Sequence, residues 1–230
     1  MFIKMADFII EIKNKYKYTE DICKDYITTE KKANFSVEVP ETIMKKVISE
    51  SPEYPDGYLE SLEIYRIVCR KILDKDAMLM HCAAIAVDNK AYLFTAVSGT
   101  GKTTHISLWL KKFGKKATVI NGDKPILRLV NGKFYVYGTP WCGKENFGTN
   151  ASAPIQAICI LERDKHNHIE RISPADAIST VITQTLRTDD INEMDKMLTL
   201  TDRLLNSVPF YRLGCNMEDD AADVSYNAMK

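Results

Sequence analysis

The sequence predicts a mixed α/β fold, in which helices pack on a sheet that has both parallel and antiparallel strands. Three observations support this prediction: apolar segments of strand length, two hairpin signals, and segments whose apolar residues recur at helical spacing. These segments do not alternate strictly along the chain. Strict alternation would indicate a purely parallel, doubly wound sheet, so we expect a mixed sheet instead.

The N-terminal part of the chain contains one predicted strand and two predicted helices. Phe8, Ile10 and Ile12 alternate with other residues, which is typical of a strand. Residues 41–50 predict a short helix. In residues 58–72, aromatic and apolar side chains recur every three or four positions, which predicts an amphipathic helix.

Residues 51–57 contain two prolines and a glycine and form the candidate boundary within the chain. They predict either a boundary between an N-terminal extension and a core, or a loop within one domain. We place the extension, or small subdomain, at residues 1–76 and the core at residues 77–230. A length of 230 residues suits one large domain with such an extension.

The predicted core begins with a hairpin and contains a second one. Residues 77–87 form an apolar run that predicts one buried strand, residues 88–90 predict a turn, and residues 92–94 predict the returning strand. The Asn-Gly pair at 131–132 lies between two apolar segments and predicts the second hairpin. The remaining predicted core elements are a helix that ends at Gly114, strands at 119–120, 155–161 and 208–213, a helix that begins after Ser173, and a helix at 218–229.

The composition argues against several classes of partner. Lysine plus arginine (31) equals aspartate plus glutamate (31), so no basic excess points to a nucleic acid. There is no run of about 18 apolar residues that would predict a membrane span, and the N-terminus lacks the order of a signal peptide. The six cysteines show neither Cys-x-x-Cys pairs nor zinc-finger spacing, which is typical of reduced thiols. We therefore predict a cytoplasmic protein that binds neither nucleic acid nor a membrane.

Residues 98–104, Ser-Gly-Thr-Gly-Lys-Thr-Thr, predict a phosphate-binding loop because they follow a predicted strand and precede a predicted helix. Gly99 and Gly101 allow positive φ, so that successive N–H groups can surround phosphate oxygens. The helix N-terminus adds its dipole, and Lys102 can reach the β- and γ-phosphates. The predicted nucleotide-binding residues are Ser98, Gly99, Thr100, Gly101, Lys102, Thr103 and Thr104.

Two further residues bear on this loop. Thr103 offers a hydroxyl to Mg²⁺, so we expect ATP to bind as its magnesium complex. Ala96 takes the place of the first glycine in the pattern G-x-x-x-x-G-K-[ST], where it would strain a turn that requires positive φ. A glycine-rich turn with an exposed lysine is the alternative interpretation.

An apolar strand that carries His81 lies upstream of the loop, and His81 is 21 residues before Lys102. In this spacing the chain resembles HPr kinase, and in residues 98–104 it looks like phosphoenolpyruvate carboxykinase. Both belong to one group of P-loop enzymes, and the nearest likeness is to the small HPr-kinase-like proteins. The likeness covers roughly residues 77–162 and leaves residues 1–76 uncovered.

This resemblance implies a P-loop core of that type, which binds ATP with Mg²⁺ and transfers the γ-phosphoryl group to a hydroxyl. The acceptors associated with such proteins are a serine of a peptide or protein, or a small molecule. The group often forms homo-oligomers. The choice of ATP over GTP rests on the resemblance alone.

The resemblance also implies an acidic segment beyond the helix, where the group usually has two adjacent aspartates and this chain has Gly122-Asp123. We expect Asp123 to bind Mg²⁺, to act as the base toward the acceptor hydroxyl, or to do both through a water. An ordinary Asn-Gly-Asp turn is the alternative. His81 could hydrogen-bond a phosphate or orient Asp123, and a core histidine is an equally good explanation. The predicted catalytic residues are Asp123, Lys102 and His81, and the predicted metal ligands are Thr103 and Asp123.

Residues 138–150 form a long, glycine-containing loop of the kind that closes over phosphates. As part of such a lid and substrate loop, Trp141 could cover the acceptor and Lys144 could clamp the γ-phosphate. Long loops also occur without such a role. Cys142 has no recognisable histidine partner, so we predict no nucleophilic function for it.

Together these features predict a Mg²⁺- and ATP-dependent kinase whose acceptor is a hydroxyl of a peptide, a protein or a small molecule. A non-catalytic nucleotide-binding regulator or partner protein is the alternative, and Ala96 and the single Asp123 favour it. An ATPase that drives a machine is a third, weaker reading, because no arginine-finger motif is recognisable.

Overall fold

The computed structural model describes residues 1–186 and 188–230 and shows a mixed α/β fold. Within these residues, twelve β-strands form a small three-stranded sheet and a large nine-stranded sheet, and seven α-helices accompany them. Each sheet combines parallel and antiparallel pairs. The predicted mixed α/β class is therefore confirmed.

The N-terminal elements form the small sheet and three helices. They are β1 (Phe2–Met5), β2 (Phe8–Lys13), α1 (Lys17–Ile22), β3 (Phe35–Glu38), α2 (Glu41–Glu50) and α3 (Asp56–Lys71). β2 lies in the middle, antiparallel to β1 and parallel to β3. The strand predicted at Phe8–Ile12 and the helices predicted at 41–50 and 58–72 are all present.

The large sheet contains the other nine strands. They are β4 (Ala77–Leu79), β5 (Ala83–Val87), β6 (Lys90–Thr95), β7 (Ala117–Asn121), β8 (Ile126–Val130), β9 (Lys133–Tyr137), β10 (Ser152–Arg163), β11 (His168–Ile172) and β12 (Phe210–Cys215). Their order is β4-β8-β9-β10-β6-β5-β7, with β12 also beside β10 and β11 beside β12. The long β10 pairs in parallel with β6 and β12 and antiparallel with β9, which makes the sheet mixed.

The remaining helices are α4 (Lys102–Phe113), α5 (Pro174–Gln184), α6 (Ile191–Ser207) and α7 (Asp220–Met229). α4 ends at Gly114, whose φ of 50° lies in the left-handed region that glycine adopts readily. α5 begins with a capping box, in which Ser173 and Asp176 bond each other's backbone N–H. No helix in the described part of the chain is both long and apolar enough to cross a bilayer.

Helix α3 packs between the small sheet and one end of the large sheet. Its buried residues Ile64 and Val68 share one hydrophobic cluster with Ile10 of β2 and with Ile126 of β8. Burial of this kind contributes roughly 1.5–3 kcal/mol for each large apolar side chain. The N-terminal residues are therefore held against the sheet by a continuous apolar core.

The prediction of one strand over residues 77–87 is wrong, because two strands occupy this run. β4 pairs with β8, whereas β5 pairs with β6 and β7. Between them, the N–H of His81 donates to Gln184 O at 2.7 Å, and that of Cys82 donates to Asp123 O at 3.1 Å. Both segments are buried, so an apolar run cannot distinguish one strand from two.

Candidate functional site

A cleft of about 780 Å³ is lined by residues from several distant parts of the chain. The sequence-predicted residues that line it are His81, Ser98, Gly99, Gly101, Lys102, Thr103, Thr104, Asp123, Trp141 and Lys144. Thr100 belongs to the same loop but is not among the lining residues. Helices α1 and α3 of the N-terminal part contribute a further side of the cleft. The fold thus brings nearly all the predicted residues together.

Residues 98–104, the glycine–lysine loop, follow β6 and run into the first turn of α4, as the sequence predicts. Gly99 has a φ of 80° and Gly101 a φ of 123°, so both adopt the positive φ expected of them. Ala96 is buried, and it is not among the positive-φ residues of the described chain. The expected strain at Ala96 is therefore wrong, since the turn does not require a glycine there.

Carbonyl groups in and just before the glycine–lysine loop are bound by two basic side chains. Lys102 Nζ donates to Ala96 O at 3.2 Å. Arg163, at the end of β10, donates to Gly99 O at 2.6 Å and to Thr100 O at 3.4 Å. Burial lowers the pKa of Lys102, and the negative charge of Asp123 opposes that shift. The lysine is therefore partly desolvated and coupled to the carboxylate in the same cleft.

Asp123 is held between His81 and Lys124, just beyond the end of β7. His81 Nε2 lies 2.5 Å from Asp123 Oδ1, and Lys124 Nζ bonds Asp123 Oδ2. Burial raises the pKa of Asp123, but the hydrogen bonds and charges of His81 and Lys124 outweigh it and hold that pKa well below its usual range. The other ring nitrogen of His81, Nδ1, lies 3.2 Å from Gln184 Oε1. Asp123 is therefore ionised and fixed in position at neutral pH.

The turn that presents Asp123 is organised by the buried side chain of Asn121. Asn121 Oδ1 accepts hydrogen bonds from the backbone N–H of Asp123 at 2.8 Å and of Lys124 at 2.7 Å. Its amide group donates to Thr139 O at 3.1 Å and Thr139 Oγ1 at 3.0 Å. This side chain thereby links the turn to the loop that follows β9.

Sequence reasoning missed three residues of this network: Asn121, Lys124 and Gln184. The Asn-Gly-Asp run carried a usable signal, because asparagine commonly bonds the backbone two residues on. Lys124 is adjacent to Asp123, and a neighbouring cation could have been considered. Gln184 lies 103 residues from its partner His81, and no local pattern relates the two.

The loop over residues 138–150 is fastened at both of its ends. Near its start, Trp141 is buried, stacks on Tyr65 with ring centroids 4.2 Å apart, and donates from Nε1 to Ser61 O at 3.1 Å. Near its end, Phe147 O accepts from the N–H of Gly122 at 2.7 Å. Trp141 therefore anchors the loop to α3. A covering role for this loop remains a prediction, centred on the exposed residues 143–146, which include Lys144.

Gly122 lies directly under this loop. A Cβ at this position would lie 3.0 Å from Cys142 O and 3.2 Å from Phe147 O. The Cβ of Phe147 would lie 3.1 Å away as well. A second aspartate at this position would therefore be tight, and the loop would have to shift by a few tenths of an ångström to admit it.

The oxygen atoms in the cleft suit a hard cation such as Mg²⁺, which also retains water or phosphate ligands. Within the described chain, there is no cluster of three or more His, Cys, Asp or Glu side chains placed to hold a metal ion. Mg²⁺ does not need such a cluster, because it binds through one or two carboxylates, waters and substrate phosphates. The hydroxyl of Thr103 and the carboxylate of Asp123, both lining the cleft, are donors of the right kind.

Comparison with known proteins yields a distant structural relationship. No protein-family model matches the chain, and no curated protein matches it. Among solved structures, the chain is similar to the HPr(Ser) kinase/phosphatase from Coxiella burnetii, with a TM-score of 0.38 and 9% sequence identity. The matched region covers 65% of this chain and 95% of that chain.

Proposed function

We propose that the protein binds ATP with Mg²⁺ in the cleft and transfers the γ-phosphoryl group to a hydroxyl acceptor. The observation that carries this proposal is that the glycine–lysine loop and the ionised Asp123 line one cleft. Positive-φ glycines at a helix N-terminus suit phosphate oxygens, and a fixed carboxylate suits a metal and an acceptor. In this proposal, residues 77–230 form a P-loop kinase core, and residues 1–76 are its N-terminal extension.

The binding roles follow from the chemistry of each group. Backbone N–H groups of the loop and the ammonium of Lys102 hold the phosphates. Thr103 and Asp123 would hold Mg²⁺, which neutralises charge on the β- and γ-phosphate oxygens when bound. Because burial has partly desolvated Lys102, its attraction to a phosphate is stronger than it would be in water.

The transfer forms a bond between the acceptor oxygen and the γ-phosphorus. It breaks the bond from that phosphorus to the β–γ bridging oxygen, which leaves with ADP. The hydroxyl proton passes to the Asp123 carboxylate, whose lowered pKa makes it a weak base. A weak base is sufficient for a loose transition state, because catalysis then depends mainly on position and charge. His81 has partners on both ring nitrogens and acts as a positioning residue through Asp123.

The test is ADP release from Mg·ATP, measured with and without a panel of serine peptides, proteins and small hydroxyl compounds. We expect release that depends on an acceptor, and a phosphorylated acceptor detectable by mass spectrometry. Lys102→Ala and Asp123→Asn should each lower the rate by about 100-fold or more, the scale seen when one charge-stabilising group is removed. Transfer by Lys102→Ala at the parent rate would refute the proposal.

Two matched variants separate these effects from a general loss of charge. Lys111→Ala removes another lysine of α4, one that pairs with Asp219 outside the cleft. Asp195→Asn removes an exposed carboxylate of α6. Both should release ADP at the parent rate.

A nucleotide-binding regulator that transfers no phosphate is the second candidate, and the crowding at Gly122 favours it. The site has one carboxylate where the resembled group usually has two, and a side chain at position 122 would be tight against the loop. This candidate predicts that ATP binds without acceptor-dependent ADP release, alike in the parent and in Asp123→Asn. Binding is measured by calorimetry alongside the release assay, so the two candidates give different results.

A further inference from the structure

One side of the cleft is formed by aromatic and apolar side chains that the proposed phosphate chemistry does not use. These residues, the aromatic wall, are Tyr18 and Ile22 of α1 and Tyr58 and Leu62 of α3. The rings of Tyr18 and Tyr58 meet edge to face, with centroids 5.9 Å apart. The ring of Tyr54 lies 5.5 Å from that of Tyr58.

The aromatic wall is held in place by packing and hydrogen bonds although it is partly exposed. Buried Glu60 accepts hydrogen bonds from the N–H of Lys15 at 2.7 Å and of Tyr16 at 3.0 Å, which fixes the start of α1 against α3. Gly57 allows this close approach, because a Cβ there would lie 3.0 Å from the Cβ of Tyr18. A preformed surface loses little entropy when it binds a ligand.

The exposed rings beside the cleft are not part of the buried core of the protein. Tyr18 is 41% exposed and Tyr54 is 49% exposed, whereas Tyr65 on the same helix as Tyr58 is buried. Large aromatic side chains that remain exposed beside a cleft are typical of ligand contacts.

Helix α3, which carries Tyr58 and Leu62 of the aromatic wall, also contacts the segments around Asp123. Tyr65 of α3 donates to Lys124 O at 2.6 Å, and Ser61 of α3 accepts from Trp141. The glycine–lysine loop is instead contacted by Arg163 of β10. A ligand on this wall would therefore occupy the same cleft as that carboxylate.

We infer that the acceptor is a peptide segment in which an aromatic or large aliphatic residue lies beside the phosphorylated serine or threonine; this inference rests on the proposed function. The neighbouring side chain packs on Tyr18, Tyr58 and Leu62, while the hydroxyl reaches Asp123. Tyr54 is in ring contact with Tyr58 but does not line the cleft, so the aromatic surface continues past the cleft edge. Such a surface suits a chain that continues beyond the reacting residue, and a small molecule would leave it uncovered.

The experiment measures peptide binding separately from transfer. Fluorescein-labelled nonapeptides with a central serine carry Phe, Leu, Ala or Asp on both sides of it, and anisotropy is recorded with Mg²⁺ and a non-hydrolysable ATP analogue. We expect the Phe and Leu peptides to bind about tenfold or more tightly than the Ala and Asp peptides. Serine amide and glycerol, added unlabelled, serve as competitors that represent small-molecule acceptors.

Variants locate the binding to the aromatic wall. Tyr18→Ala and Tyr58→Ala should each weaken binding of the Phe peptide by about tenfold, while calorimetric affinity for the ATP analogue stays at the parent value. Ile191→Ala removes an 85% exposed apolar side chain of α6 outside the cleft and should change neither affinity. Thermal unfolding by circular dichroism identifies any variant that fails to fold; Tyr18, being exposed, then decides the result.

Equal binding of all peptides, no binding of any peptide, or parent-like binding by the folded Tyr18→Ala protein would overturn the inference. Displacement by the small hydroxyl compounds at lower concentration than by peptides would also overturn it. These readouts do not require transfer. Loss of ADP release with peptide selectivity intact would therefore count against the proposed kinase activity and not against the peptide site.

Discussion

Two sides of the cleft are stabilised in different ways. In the glycine–lysine loop, the polar contacts are made by the side chains of Thr100 and Lys102 and by exposed Arg163, and two glycines hold positive φ. The turn that carries Asp123 is instead built on buried Asn121 and on side chains from the loop after β9, from α5 and from α3. The comparison teaches that the carboxylate is positioned by surrounding side chains before any ligand binds, whereas the loop has fewer such partners and would be freer to adjust to the proposed phosphate ligand.

The largest effect on this difference is expected when Asn121 is replaced by alanine. Asn121→Ala leaves the partly buried N–H groups of Asp123 and Lys124 without their acceptor, at about 1–3 kcal/mol for each unsatisfied group. We expect the free energy of unfolding to fall by about 4 kcal/mol, measured by urea titration. Asn206→Ala, in which an exposed amide of α6 is removed, should change it by less than about 0.5 kcal/mol. If Asn121→Ala changes the free energy of unfolding as little as the control does, Asn121 does not hold the turn in position.

A second prediction concerns pH and the helix that follows the loop. Burial lowers the pKa of His105 from 6.5 to about 4, and its Nε2 accepts from Trp109 Nε1 at 3.1 Å. The unfolded chain therefore binds a proton at higher pH than the folded protein does. The contribution of His105 to the free energy of unfolding should be constant above pH 6.5 and fall by about 3 kcal/mol as the pH drops to 4.

The measurement is urea unfolding across pH 4–7.5 for the parent, His105→Gln and His166→Gln. His166 is exposed, and its variant should follow the parent curve. His105→Gln should flatten the curve between pH 4 and 6.5, even if its overall stability is lower. A curve as steep as that of the parent would assign the acid sensitivity to other groups.

The smallest expected effect is at Arg163, which binds the carbonyl groups of the loop. Arg163→Met should lower the affinity for Mg·ATP by about fivefold, because the loop loses these contacts. Stability should change by less than about 0.5 kcal/mol, since the side chain is exposed. Calorimetric titration beside Arg171→Met, another exposed arginine, is the check. If both variants bind alike, the loop does not depend on Arg163 for its shape.

The same contrast explains what could be predicted from the sequence. The loop, the turn at 131–132 and the cap at Ser173 are local, so a few neighbouring residues contain the whole physical reason for each structure. The hydrogen bond between His81 and Gln184 joins residues far apart in sequence, and the break after β4 depends on backbone partners outside the strands. Such features depend on which segments meet in space, which neither periodicity nor spacing encodes.

The aromatic wall illustrates the same limit at the N-terminus. The periodicity of residues 58–72 correctly predicts an amphipathic helix, and Tyr58 and Tyr65 both belong to its apolar stripe. In the folded chain, Tyr65 is buried whereas Tyr58 lines the cleft, because only one end of α3 is covered by the sheets. Periodicity identifies the stripe but not the part of it that stays accessible.

The packing over Gly122 links this residue to residues 142–147 of a later loop. Backbone atoms of Cys142 and Phe147 lie 3.0 and 3.2 Å from the place of a Cβ at 122. A second carboxylate there would require these atoms to shift by a few tenths of an ångström. The effect of a substitution at residue 122 is therefore expected to depend on which residues occupy the 142–147 segment, which is a form of epistasis.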